Sequence, residues 1–149
     1  MEKIPTNPSF INPDLAKERG EIGRVAQEVF SIEDPDEIRK FGERFLEAAK
    51  TAPLVELSEE MWSQLENTDS YGIPSQDWAV VEDHAVVGHA DHPRDWESLK
   101  RQYEQGASIE APVIVKTNDT LHLVAGNTRL MVARALGITP NVLLVKIHP

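Results

Sequence analysis

The chain contains no cysteine. That absence excludes disulfide staples, thiolate zinc sites, and thiol or redox chemistry by the protein itself. No stretch approaches the roughly 18 apolar residues of a membrane span, and the first residues, MEKIPTNPSF, lack the apolar segment of a signal peptide. The expectation is a cytoplasmic protein with no membrane partner. Positive charge is scarce as well, with 15 Lys and Arg against 25 Asp and Glu and a formal net charge of -10. A docking surface for duplex DNA would have to be a local basic patch working against the field of the whole molecule, so duplex DNA is not an expected partner. Internal repeats and low-complexity blocks are absent too.

What is present suffices for one α/β domain of about 90–100 residues carrying a helical extension. Residues 1–12, with Pro5, Asn7, Pro8 and Asn12, read as a flexible or extended arm. Residues 13–52 read as a two-helix extension. Asn12-Pro13 looks like an N-cap followed by proline in the first turn, and Leu15, Ile22, Val25, Ala26 and Val29 recur at helical spacing as far as about Phe30. Asp34-Pro35 repeats the start signal before an apolar stripe of Ile38, Phe41, Phe45, Leu46 and Ala49. The apolar faces of these helices pack on the α/β domain or form a homodimer.

The α/β domain is expected over residues 53–149. Leu54–Leu57 reads as a short strand, with Ser58 capping a brief helix that holds Met61, Trp62 and Leu65. The span from Glu66 to Pro93 is the least patterned in the chain, a long polar loop around Trp78-Ala-Val-Val81. Trp96, Leu99 and Tyr103 share one face of a helix that Gly106 ends. A hairpin follows: Pro112–Val115 turns at Asn118-Asp119 and returns through Leu121, Leu123 and Val124. A helix through Arg129–Leu136 with Gly137 at its end, and a final strand Val142–Ile147, complete the order.

The chemistry concentrates at Gly126-Asn127-Thr128-Arg129. A strand that ends in glycine and passes straight into a helix gathers free backbone N–H groups and the positive end of the helix dipole at one spot. There the glycine admits close approach, Thr128 offers a hydroxyl, Asn127 an amide and Arg129 a planar fork suited to phosphate oxygens. The same four residues also fit an ordinary turn with Asn127 or Thr128 as N-cap and Arg129 solvated.

The run from Trp96 to Gly106, the strand Ala111–Val115, the segment Leu121–Gly137 and the strand Val142–Ile147 together resemble the nucleotide-binding domain of the ParB/sulfiredoxin-like superfamily. The likeness extends more weakly back to Pro53. It implies a small mixed sheet with packed helices, and a nucleotide (ATP, ADP or CTP) held with Mg²⁺ at Gly126, Asn127, Thr128 and Arg129. Two departures limit what carries over. Sulfiredoxins have a catalytic cysteine and a histidine where this chain has Asn127 and Thr128, and ParB proteins have Glu and Arg there, followed by a DNA-binding domain that does not appear before Pro149. Other members of the superfamily are similar to small-molecule kinases, and some are labelled nucleases.

Phosphoryl transfer or nucleotide hydrolysis needs a carboxylate to accept a proton or hold Mg²⁺. Glu56 and Glu60, at the end of the first strand and the start of its helix, are candidates, since related kinases keep an acidic residue there; each also fits a helix-start carboxylate favoured by the dipole. Asp91 and His92, in the cluster His89-Ala-Asp-His-Pro-Arg94-Asp95, are the others, beside the plainer reading of a solvated loop whose aspartates cap the next helix. His84, His89 and His92 follow no recognised zinc spacing, so no protein metal site is assigned. The expected function is thus a nucleotide-binding protein, a phosphotransferase or hydrolase, acting on a small-molecule or protein partner. The alternatives are a non-catalytic nucleotide-sensing or protein-interaction module, and a ParB-like nuclease.

Overall fold

The computed structural model describes residues 9–66, 93–117 and 120–147. Ser9–Ile11 form β1, and Asp14 then caps a single 3-10 turn, Leu15–Glu18, by accepting the Ala16 N–H. Helix α1 follows at Arg19–Glu28. The start expected at Asn12-Pro13 therefore lies at Asp14. Both residue types cap well, but the Asp14 N–H is itself pinned to Glu110 Oε1 at 2.6 Å, which fixes where the turn begins.

The second start signal works as its chemistry requires: Asp34 accepts the Glu37 N–H at 3.1 Å, Pro35 occupies the first turn, and α2 runs Pro35–Lys50. Strand β2 is Leu54–Glu56. Ser58 accepts the Met61 N–H at 3.2 Å and opens α3, Glu59–Gln64. Leu65, expected in that helix, instead starts the two-residue strand β3, Leu65–Glu66. The remaining elements are α4 (Pro93–Glu104), β4 (Ser108–Glu110), β5 (Val113–Thr117), β6 (Thr120–Ala125), α5 (Asn127–Leu136) and β7 (Asn141–Lys146). The turn expected at Asn118-Asp119, the run Trp78–Val81 and the loop histidines His84 and His89 lie outside the described residues.

The described residues thus form a mixed α/β protein with five α-helices and a mixed five-stranded sheet in the order β2-β7-β5-β6-β3, beside a separate parallel pair, β1 with β4. In the main sheet β5 runs parallel to β7 and antiparallel to β6, β3 is parallel to β6, and β2 is antiparallel to β7. Side chains alternate across it. Ile114, Leu121, Leu123 and Val142 pack with Trp62, Tyr103, Leu130 and Met131 from α3, α4 and α5. Val113, Val115, Leu143 and Val145 face the other way, against Ile22, Val25 and Ala26 of α1 and Phe41 and Phe45 of α2.

The sheet is accordingly covered on both faces, and the helices of residues 19–50 form one of the two covers. Phe41 and Phe45 are fully buried there, with the Phe30 ring tilted against Phe41 at a centroid distance of 4.9 Å, so truncating either buried ring to alanine would cost about 3–5 kcal/mol. Helix α5 is buried at half of its positions, Leu130 to Ala133 and Ala135. It is gripped from both flanks. The Tyr103 hydroxyl of α4 donates to the Arg129 carbonyl, and Arg134 lies over the Trp62 ring of α3 while donating to both oxygens of Glu59. No described helix is long and apolar enough to cross a membrane.

Candidate functional site

Gly126 joins β6 to α5 in the left-handed region, with φ 101° and ψ 23°. Its carbonyl accepts the first helical bond, from Leu130 N–H at 2.9 Å, and α5 begins at Asn127. The glycine is required by the protein's own packing: a Cβ here would lie 2.8 Å from both Cα and Cβ of Pro112. The close approach that glycine permits is therefore to Pro112. The first turn of α5 presents N–H groups with no intrahelical acceptor, together with the positive end of its dipole.

This helix start opens into a cleft of about 580 Å³, a size usual for small-molecule sites. Leu123, Val124 and Ala125 of β6 form its floor, and Gly126 to Arg129 its head. One wall is Ser98, Leu99 and Gln102 of α4; the other is Glu18, Glu21 and Arg24 from the start of the chain. The cleft lies where the two helical covers meet at the end of β6.

A bulge shapes the floor. Val113 pairs with Ala125 but Ile114 pairs with Leu123, so Val124 has no opposite number on β5. Arg24 fills the gap in the ladder: its Nη2 reaches the carbonyls of Leu123 at 3.5 Å and Val124 at 3.4 Å. Nε bonds Glu21 at 2.8 Å and Nη1 bonds Glu28 at 3.0 Å. Burial works against the charge of Arg24, yet the bonds to Glu21 and Glu28 hold its pKa above the ordinary value.

Arg129 is braced in the same manner from the other side. Its Nη1 donates to the Glu110 carbonyl at 2.6 Å and more weakly to that of Ala111 at 3.5 Å, tying α5 to the link between β4 and β5. The Glu110 carboxylate in turn accepts from Lys17 Nζ at 2.8 Å and from the Asp14 N–H. Those two bonds, the Lys17 bond foremost, hold its pKa below the ordinary 4.5, with the charge of Arg129 adding to the effect. Tyr103 is fully buried, and burial pushes its phenol pKa up against the pull of Arg129.

Of the residues nominated from sequence, Gly126, Asn127, Thr128 and Arg129 lie together at the cleft. Glu56 and Glu60 do not line it. Both are exposed; Glu56 pairs with Asn141 on the edge strand β2, separated from β6 by β7 and β5. At the spacing of adjacent strands that is about 14 Å. Asp91 and His92 lie outside the described residues. The carboxylates that do line the cleft, Glu18 and Glu21, were not singled out in the sequence, nor was Arg24; nothing local marks them, because they face residues about a hundred positions away. His122 sits elsewhere on β6 with its Nδ1 buried, 3.4 Å from Glu66 Oε2 but without a hydrogen bond among the described residues.

No group of three or more His, Asp or Glu residues able to hold a metal occurs among the described residues. No family model, curated protein or solved structure matches the chain.

Proposed function

We propose that the cleft at the head of α5 binds a nucleotide through its phosphates, as in the ParB/sulfiredoxin-like superfamily that the chain resembles, and that it serves phosphoryl transfer or hydrolysis with Mg²⁺. The observation that carries this reading is the direct passage from β6 through Gly126 into α5, whose first turn heads a cleft of about 580 Å³. Thr128 contributes a hydroxyl there. The Nε and Nη2 of Arg129 have no protein partner among the described residues, while its Nη1 serves as the brace. The formal charges of Glu18 and Glu21 balance those of Arg24 and Arg129, so the cleft has no strong cationic field of its own. Two carboxylates beside phosphate oxygens are the usual donor set for Mg²⁺, which supplies charge neutralisation when bound with a nucleotide. Of the two, Glu18 is the better candidate to accept a proton, because Glu21 is bonded to Arg24.

That bond favours a second reading, in which the cleft senses a nucleotide without turning it over. Thermal shift with ATP, ADP and CTP in the presence of Mg²⁺ separates the readings once phosphate release is measured alongside. A ligand at a hundred times its Kd raises stability by about 2.7 kcal/mol, about 5–11 °C for a chain of this size. Arg129→Ala is a poor probe on its own, since it also removes the brace. Thr128→Glu is better: a carboxylate suits the start of a helix, so the fold persists, but it repels phosphate. The proposal predicts a shift in the wild type that Thr128→Glu abolishes. Absence of any shift with millimolar nucleotide would end it, and a shift with neither phosphate release nor nucleotide consumption in the presence of small hydroxyl acceptors selects the sensing form.

A further inference from the structure

A second hollow, of about 400 Å³, lies on the opposite end of the sheet from the α5 cleft, over the face that packs α3. It is lined by Met61, Gln64, Lys116, Leu121, Leu144 and Lys146. Lys116 of β5 and Lys146 of β7 are register partners on adjacent parallel strands, so their Cα atoms are about 5 Å apart and both side chains leave the same face. Two like charges side by side in a sheet destabilise it. In a chain with ten more acidic than basic side chains, neither lysine makes an ion pair or hydrogen bond among the described residues. Beneath them the surface is apolar and adaptable, with buried Leu121, half-buried Leu144 and the thioether of Met61, while the Gln64 amide adds one polar contact.

We infer that this hollow binds a small organic anion with two negative charges on one head and an apolar body, of the phosphate monoester class. The lysines act as two point charges that share the head, and their mutual repulsion is relieved when it binds. The apolar floor takes the body, which distinguishes such a ligand from free phosphate. A single negative charge would leave one of the two positive charges uncompensated. This site is independent of the nucleotide reading, since it shares no residue with the α5 cleft.

Phenyl phosphate is the probe, titrated into the full chain carrying Thr128→Glu to silence the first cleft and followed by backbone amide shifts. Saturable shifts at Lys116, Leu121, Leu144 and Lys146 are expected, with affinity at least about fivefold above that of benzoate or inorganic phosphate. Lys116→Gln and Lys146→Gln should each weaken binding by about fivefold, and should leave unchanged or raise the melting temperature of the ligand-free protein because they relieve the repulsion. The inference is overturned if phenyl phosphate does not saturate by about 10 mM, which corresponds to about 2.7 kcal/mol. It is also overturned if the double glutamine variant binds as the parent does, or if either substitution lowers the ligand-free melting temperature, which would make the lysines structural.

Discussion

Replacing Gly126 with alanine tests whether this position serves the fold or a ligand. Two costs add. An alanine held at φ 101° is strained by about 1–3 kcal/mol. Its Cβ would lie 2.8 Å from Cα and Cβ of Pro112, and because one of these is backbone, β5 and its approach must shift, an overpacking cost of about 1–3 kcal/mol. The sum, about 2–6 kcal/mol, is a large part of the roughly 5–15 kcal/mol that holds a domain together. Urea melts of ligand-free protein should show the whole of it, and thermal melts a fall of about 4–24 °C. Gly126→Asn separates the two terms, because asparagine tolerates the left-handed region but still carries a Cβ. It should recover the strain and none of the clash. If alanine costs less than about 1 kcal/mol, or if asparagine restores wild-type stability, the Pro112 contact is not the constraint and the reasoning fails.

Three further predictions concern the braces around Arg129. Tyr103→Phe removes the hydroxyl that bonds the Arg129 carbonyl at 3.0 Å and should cost about 0.5–1.5 kcal/mol in a urea melt. In a Tyr71→Phe background Tyr103 is the only tyrosine, and the absorbance change of phenol ionisation should appear only as the protein unfolds in alkali; ionisation near pH 10 in the folded state would contradict its burial. The Glu110 carboxyl has a depressed pKa, so the stability it contributes is complete above pH 4.5 and is lost as pH falls through its lowered value. Lys17, whose pKa is raised by the same bond, contributes below pH 10.5 and loses that contribution as pH rises through its raised value. Stability curves of wild type and Glu110→Gln should therefore separate between these limits and converge on either side; parallel curves across the acid limb would show that the clasp to Lys17 and Asp14 is not formed in solution.

The elements that the sequence announced are those whose signals are local. Asp34-Pro35, Ser58 and Gly137 each do their work within four residues, so α2, α3 and the end of α5 fall where cap chemistry puts them. Strands β1, β3 and β4 have two or three residues and no period to detect; they exist because Ser9–Ile11 finds Ser108–Glu110 and Leu65–Glu66 finds Leu121–His122. Asp14 prevailed over Asn12 as the cap for the same kind of reason, a bond to Glu110 ninety-six residues on.

The site divides along the same line. A strand, a glycine and a helix in succession are a local pattern, and Gly126 to Arg129 could be read from it. What surrounds them could not. The resemblance to related kinases points to Glu56 and Glu60, at the end of β2 and the start of α3, whereas the β2-β7-β5-β6 order separates β2 from the cleft by two strands. Arg24 is the instructive residue. In sequence it is an unremarkable member of the charged row Glu21, Arg24, Glu28 on an amphipathic helix, which fits a solvated face. It lines the cleft where the ladder slips at Val124, its guanidinium serving the Leu123 and Val124 carbonyls while holding Glu21 at the cleft. The bulge and its partner make α1 a wall of the site as well as a cover for the sheet. A substitution in residues 18–24 should accordingly be judged by its effect on the cleft and not only on the core.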